Sequence, residues 1–152
     1  MDAEPSRPRD ETLAALEREV GVLMRRTRRV VAERARLVHP DLHPAAYLML
    51  TVLAKRGPLR PSEVSEFFAL DKGAVSRQVH QLVDLGLVTR SPDPDDRRAT
   101  ILSLTETAQH EMGDSMCSRR ARLRDQLADW EDDALVEFVT LLGRYNAALE
   151  RD

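Results

Sequence analysis

The sequence has 152 residues, enough for one compact domain or for a small module carried on helices that need a partner to bury them. Its 23 basic and 26 acidic side chains give a formal charge of −3, so net charge announces neither a strongly basic nor a strongly acidic partner. The single cysteine, Cys117, excludes an internal disulfide framework, and no apolar run approaches the roughly 20 residues that cross a bilayer. We therefore expect a cytoplasmic protein without a membrane segment.

The first predicted element is a long helix over residues 12–38, which Pro40 ends. One side of it repeats apolar residues at intervals of three and four, and the other side is rich in arginine. A helix of this length cannot bury its apolar stripe on a small domain, so we expect it to pack against another long helix. The polar residues 1–10 are expected to form a disordered N-terminal tail.

The middle of the chain predicts three more helices and a β-hairpin. A buried helix runs from Pro44 to Gly57, and two short helices, over residues 61–69 and 72–85, are separated by only two residues. β-Branched residues then predict strands over 87–91 and 99–104, joined by a turn-rich charged loop. Two helices with so tight a joint, followed at once by a hairpin, predict a winged helix-turn-helix over residues 41–104.

Two helices complete the chain. The first follows Thr105, a good N-cap, and the second begins near Glu131. An apolar stripe from Leu135 to Leu149 marks one face of the last helix. The predicted fold is therefore mainly α with a small β-hairpin wing, in which the helices of residues 11–40 and 105–152 form a dimerisation region.

The second helix of the helix-turn-helix pair has a face suited to DNA. Its apolar residues cluster on one side, and the remaining surface offers six candidate contacts: Lys72, Gly73, Ser76, Arg77, His80 and Gln81. Arginine pairs bidentately with guanine and glutamine with adenine, whereas lysine, serine and a helix N-terminus hold phosphate. In the hairpin loop, Arg97 and Arg98 are placed to enter a minor groove, and Asp96 to fix a guanidinium by a charge-assisted hydrogen bond.

Other classes of function compete with DNA binding. An enzyme would need a nucleophile with its base, paired carboxylates or a phosphate-binding glycine loop, and the scattered glycines and histidines supply none. We therefore expect no catalytic residue and no cofactor. The stronger alternative is a protein-interaction adaptor or antagonist that does not itself bind DNA, because residues 61–104 hold five basic and seven acidic residues.

The order and spacing of several motifs resemble those of MarR-type regulators, named for multiple antibiotic resistance. The motifs are residues 57–64, residues 71–88 and, most specifically, the hairpin run Asp93-Pro-Asp-Asp-Arg-Arg98 followed by Leu104-Thr105. The resemblance implies a homodimeric, ligand-responsive repressor that binds double-stranded DNA at a pseudo-palindromic promoter operator. Within the wing it implies that Asp96 orients Arg98 for the minor groove while Arg97 contacts phosphate.

Two positions depart from the family pattern. The family often has a small hydroxyl residue before Pro61, where this chain has Arg60, whose charge is mildly unfavourable at a helix N-terminus. We therefore predict that Arg60 contacts a DNA phosphate, which would compensate that cost. His43, just before Pro44, likewise occupies a position where a hydroxyl would be the better cap.

The resemblance further implies an effector, a small aromatic acid or phenol, between the dimer helices and the winged lobe. Five residues near helix ends are candidates for its pocket: Met24, Arg28, His39, His43 and Tyr47. Core packing is the competing role for Met24 and Tyr47, and exposed loop positions for the histidines. We expect no metal, since His39, Asp41 and His43 lack a convincing zinc-ligand spacing. Cys117 is expected to be a bystander, because redox-sensing relatives carry their cysteine in the first helix.

Overall fold

The computed structural model describes residues 8–150, which fold mainly into helices with one small sheet. The elements in chain order are α1 (Arg9–Val38), α2 (Pro44–Arg56), α3 (Pro61–Phe68), α4 (Lys72–Asp84), β1 (Val88–Pro92), β2 (Thr100–Leu104), α5 (Glu106–Gln126) and α6 (Asp132–Leu149). The described chain divides into two compact units, residues 8–113 and residues 114–150. The predicted mainly α fold with a two-stranded wing is confirmed.

The first helix starts earlier than the sequence predicts. Pro8 is the N-cap of α1, and Asp10 and Glu11 lie in its first turn, where carboxylates stabilise the helix dipole. Arg9 and Asp10 are therefore helical, although they fall within the predicted tail, and the rest of that tail, residues 1–7, lies outside the described residues. None of the helices within residues 8–150 combines the length and apolarity that a bilayer crossing requires.

The core of the first unit is built around α2. This helix buries six residues, Ala46, Tyr47, Met49, Leu50, Val52 and Leu53, which confirms that it is central. At its C-terminus Gly57 adopts φ +83°, a conformation that residues with a side chain rarely take. The same core receives Val75, Val79 and Leu82 from α4, so one side of α4 is fixed against α2.

A short turn joins α3 to α4, and the hairpin that follows α4 packs against the same core. Ala69 ends α3 in the left-handed region, with φ 50° and ψ 41°, and Asp71 caps α4 two residues later. β1 and β2 pair antiparallel, with Val88 opposite Leu104 and Pro92 opposite Thr100. Leu59 adds a short bridge to Leu102 on β2, which brings the residues that precede α3 beside the hairpin.

Candidate nucleic-acid interface

One face of α4 is buried and the opposite face is exposed. Val75, Val79 and Leu82 are buried in the core, and the exposed face forms an open hollow of about 550 Å³. Its lining consists of Ser76, Arg77, His80, Gln81, Asp84 and Leu85. Four of the six residues predicted for DNA contact therefore lie together on one surface of α4.

Asp71 and Gly73 lie close together at the start of α4. The Ala74 N–H donates to Asp71 Oδ1 at 2.8 Å, which caps the helix and lowers the pKa of that carboxyl below its ordinary value. A Cβ on Gly73 would lie 3.0 Å from the same Oδ1 and 3.5 Å from an Arg77 guanidinium nitrogen. The first distance is tight and the second is an ordinary contact, so Gly73 leaves room for the Asp71 carboxylate that caps the helix.

The Gln81 side chain is bound within the protein. Its Nε2 donates to the Asp41 carbonyl at 2.9 Å, and its Oε1 accepts from the His43 N–H at 3.3 Å. These bonds hold the loop between α1 and α2 against α4. Each end of the amide therefore has one partner in the protein, and these two bonds leave one N–H and one oxygen lone pair of Gln81 unused.

The hairpin loop is closed by its own hydrogen bonds. Asp93 Oδ1 accepts from the Asp95 N–H at 2.9 Å, and the Asp93 N–H donates to the Ala99 carbonyl at 3.0 Å. Asp96 Oδ1 accepts from the backbone N–H of Arg98 at 3.0 Å. The sequence argument placed the Asp96 carboxylate on the Arg98 guanidinium; in the structure this carboxylate binds the backbone N–H of Arg98 and shapes the turn, and the Arg98 side chain is exposed.

Arg60 is joined to the base of this loop. Its Nε and Nη2 both lie 2.5 Å from Asp93 Oδ2, whose side chain is only 4% exposed. The Asp95 N–H and the Arg60 guanidinium together lower the pKa of Asp93, and hydrogen bonding to Asp93 raises the pKa of Arg60. The Glu63 carboxylate also accepts from the Arg60 N–H at 2.7 Å. The charge of Arg60 at the start of α3 is thus compensated inside the protein, whereas the sequence argument assigned that task to DNA.

A groove of about 300 Å³ separates α3, α4 and the hairpin. Its polar lining includes Ser62, Lys72, Ser76 and Arg90. Lys72 and Arg90 place two positive charges around one cleft, an arrangement suited to a phosphate. The sequence argument missed Arg90, which is exposed although the two-residue period of β1 puts it on the same face as the buried Val88.

Comparison with known proteins settles the family. A protein-family sequence model described as "MarR family" matches residues 41–99. The chain is 32% identical over 108 residues to the HTH-type transcriptional regulator YxaD of Bacillus subtilis, an alignment that covers 71% of this chain and 76% of YxaD. The chain belongs to the MarR family. It is therefore a winged helix-turn-helix DNA-binding transcriptional regulator and not an enzyme.

Two further relatives are consistent with MarR membership. The HTH-type transcriptional repressor NicR of Pseudomonas putida is 32% identical over 104 residues, which cover 67% of this chain and 66% of NicR. The solved structure of a MarR protein from Peptoclostridium difficile superposes with a TM-score of 0.74 at 17% identity, and the match covers 99% of this chain and 94% of that one. At this level of identity the structural likeness shows the MarR fold alone.

The residues predicted to bind a MarR effector do not share one environment. Tyr47 is in the core and 4% exposed, whereas Met24 and Arg28 lie exposed on α1. The Nδ1 atoms of His39 and His43 accept the N–H groups of Asp41 and Ala45, each at 3.2 Å. His43 therefore caps α2 with its imidazole, at a position where the sequence argument considered a hydroxyl the better cap.

Proposed function

We propose that this regulator is a homodimeric, ligand-responsive repressor that acts in the cytoplasm on a pseudo-palindromic promoter operator. The exposed face of α4 carries the proposal: Lys72, Ser76, Arg77 and His80 stand on the surface opposite the buried Val75, Val79 and Leu82. The major groove of DNA admits an α-helix, and in this arrangement Arg77 would contact guanine and Lys72 a phosphate. NicR, which is 32% identical to this chain, is named a transcriptional repressor, and this supports repression of transcription here.

The hairpin is proposed to extend the contact beyond the major groove. Arg97 and Arg98 are exposed in the loop between β1 and β2 and are positioned for a minor groove or its flanking phosphates. Arg90 joins Lys72 as a proposed phosphate contact, since both line the groove beside α4. Asp96 contributes by shaping the loop, and Arg60 and Gln81 by holding it and α4 in place.

Exposed apolar side chains support the dimer. Large apolar residues of α1, including Leu13, Leu16 and Leu23, and of α6, including Val136 and Val139, are each 41% or more exposed in the isolated chain. Groups of exposed apolar side chains are typical of surfaces that bind another protein chain. A two-fold dimer would present its α4 helices about 34 Å apart, one turn of DNA. Light scattering should give twice the chain mass of 17.2 kDa.

An effector is proposed for the region around Met24, Arg28, His39, His43 and Tyr47. Arg28 is exposed on α1, where its guanidinium can meet a carboxylate, and Met24 lies one turn before it with an apolar surface. Adding salicylate to the protein–operator complex should release the DNA, and Arg28→Ala should remove that response. Salicylate and related phenols that never weaken the complex would contradict this effector class.

The test of DNA binding uses the region upstream of the protein's own gene. Fluorescence anisotropy at several salt concentrations should show binding that prefers this DNA over a shuffled sequence. Arg77→Ala should weaken it by about 1–3 kcal/mol. Arg26→Ala, which removes an exposed arginine from α1, is the matched control and should bind as the wild type does. Absence of salt-dependent, sequence-preferring binding would favour a protein-interaction adaptor.

A further inference from the structure

The ion pair between Arg60 and Asp93 joins two parts of the winged helix that are far apart in sequence. Arg60 is the N-cap residue of α3, and Asp93 is the first residue of the loop between β1 and β2. They are separated by 33 positions, yet two guanidinium nitrogens approach the same carboxylate oxygen. We propose that Arg60 and Asp93 act as a clamp that sets the position of the wing on DNA, and that neither residue binds DNA itself.

Asp93, the buried member of the clamp, has a hydrogen-bond donor at each carboxylate oxygen. Asp93 uses Oδ2 for Arg60 and Oδ1 for the Asp95 N–H, so both of its oxygens have donors. Its backbone N–H binds the Ala99 carbonyl across the loop. Asp93 therefore ties together the start of the loop, the end of the loop and the N-terminus of α3.

The tied segment carries the arginines proposed for the minor groove. Between Asp93 and Ala99, the Ala99 N–H binds the Asp96 carbonyl at 2.8 Å, and Asp96 Oδ1 binds the Arg98 N–H. The loop is thus a small hydrogen-bonded body whose attachment to the helices runs through Asp93 and the two strands. Fixing its base reduces the freedom that Arg97 and Arg98 would lose on binding, which is the gain expected from preorganisation.

The alternative role of Arg60 is a direct phosphate contact, as the sequence argument predicted. Its side chain is 41% exposed, so a phosphate can approach it. If the Arg60 guanidinium moved from Asp93 to a phosphate, however, the buried Asp93 carboxylate would lose its positive partner, which is costly in free energy. The two roles differ in what happens when the wing arginines are absent, because a clamp acts only through them and a phosphate contact does not.

The clamp rests on the proposed DNA binding, and its test separates the two. Affinity for the operator is measured at several salt concentrations for Asp93→Asn and Arg60→Ala, each in the wild-type chain and in the Arg97→Ala/Arg98→Ala variant. In the wild-type chain either substitution should weaken binding about 10-fold and reduce the salt slope, since wing contacts are lost. In the wing variant either should change affinity by less than about twofold, because the effects of coupled residues are not additive.

A second measurement needs no DNA. Trypsin should cleave after Arg97 and Arg98 several-fold faster in Asp93→Asn than in the wild type, while cleavage after Arg25 and Arg26 in α1 stays unchanged. Arg60→Lys, which keeps the charge but loses the fork, should lie between the wild type and Arg60→Ala. Circular dichroism establishes that each variant is folded.

Three outcomes would overturn the clamp. The first is an unchanged rate of wing cleavage in Asp93→Asn and Arg60→Ala. The second is a loss of affinity from Asp93→Asn that persists in full without the wing arginines, which would mean a general structural role. The third is a lower salt slope for Arg60→Ala in the wing variant, which would make Arg60 a phosphate contact. Failure of the wild type to bind any DNA would refute the proposed function and leave the cleavage measurement to decide the clamp.

Discussion

Gln81→Met separates the two roles that Gln81 can have on α4. Methionine has nearly the length of glutamine and a similar helix propensity, so the change removes the polar groups with little effect on the helix itself. The bond to the Asp41 carbonyl is well formed at 2.9 Å, and the bond from the His43 N–H is long at 3.3 Å. Both join α4 to the loop that precedes α2.

The magnitude follows from these two bonds. A hydrogen bond within a protein contributes about 0.5–1.5 kcal/mol, and the long bond belongs at the low end of that range. Water can reach the freed Asp41 carbonyl and His43 amide, since both residues are exposed, so the total loss should be about 1 kcal/mol. For a chain of this size that corresponds to a fall in Tm of roughly 2–4 °C, which differential scanning calorimetry resolves.

Binding to DNA supplies the decisive comparison. If Gln81 positions α4, affinity should fall by a similar factor on every operator variant, and the base preferences should match those of the wild type. If Gln81 reads adenine, discrimination at one base pair should weaken by about 1–3 kcal/mol. An unchanged Tm together with lost discrimination at a single position would refute the positioning role.

Three further changes test the fold and the clamp. Leu82→Ala removes a side chain with 0% exposure from the core and should destabilise the protein by about 2–5 kcal/mol in urea unfolding; a loss below 1 kcal/mol would contradict its place in the core. Ala69→Gly should raise stability by about 0.5–1 kcal/mol, because residue 69 is left-handed at φ 50°, and a loss of stability would show that the turn relaxes instead. The lowered pKa of Asp93 stabilises the fold above its unfolded pKa of about 3.9, and this contribution disappears as the pH falls through the folded value. Asp93→Asn should therefore flatten the loss of stability below about pH 4, and an identical acid limb in both proteins would contradict the pairing.

The elements of the fold were predictable because their signals are local. Thr105 accepts from the Ala108 N–H and starts α5 as expected, and Asp71 caps α4 in the same way. The strands begin and end within about one residue of their predicted limits, since β-branched residues and the charged loop mark both ends. Apolar periodicity likewise located the buried side of α4, including Val75 and Val79.

The polar contacts behind the interface were not predictable by the same means. The bonds from Gln81 to the α1–α2 loop span 38 and 40 positions, and the bond from Arg60 to Asp93 spans 33. Helical and strand periodicity relate residues a few positions apart and carry no information about such pairs. The sequence signalled Arg60 only as an oddity at a helix start, and the buried partner that explains it was visible merely as one of several acids in the hairpin loop.

These internal bonds also change the meaning of the charge on the DNA-binding unit. Residues 61–104 carry seven acidic side chains, and four of them, Glu63, Asp71, Asp93 and Asp96, accept backbone N–H groups at helix starts or in the hairpin loop. The ion pairs within residues 8–150, Arg29–Glu33 and Arg60–Asp93, use none of the five basic side chains of that segment. Those five charges, which include Arg77, Arg97 and Arg98, stay available to phosphate, whereas Asp93 is buried and paired with Arg60 from outside the segment. An excess of two acids by count is thus compatible with a surface that binds DNA, which removes the main support for an adaptor that does not.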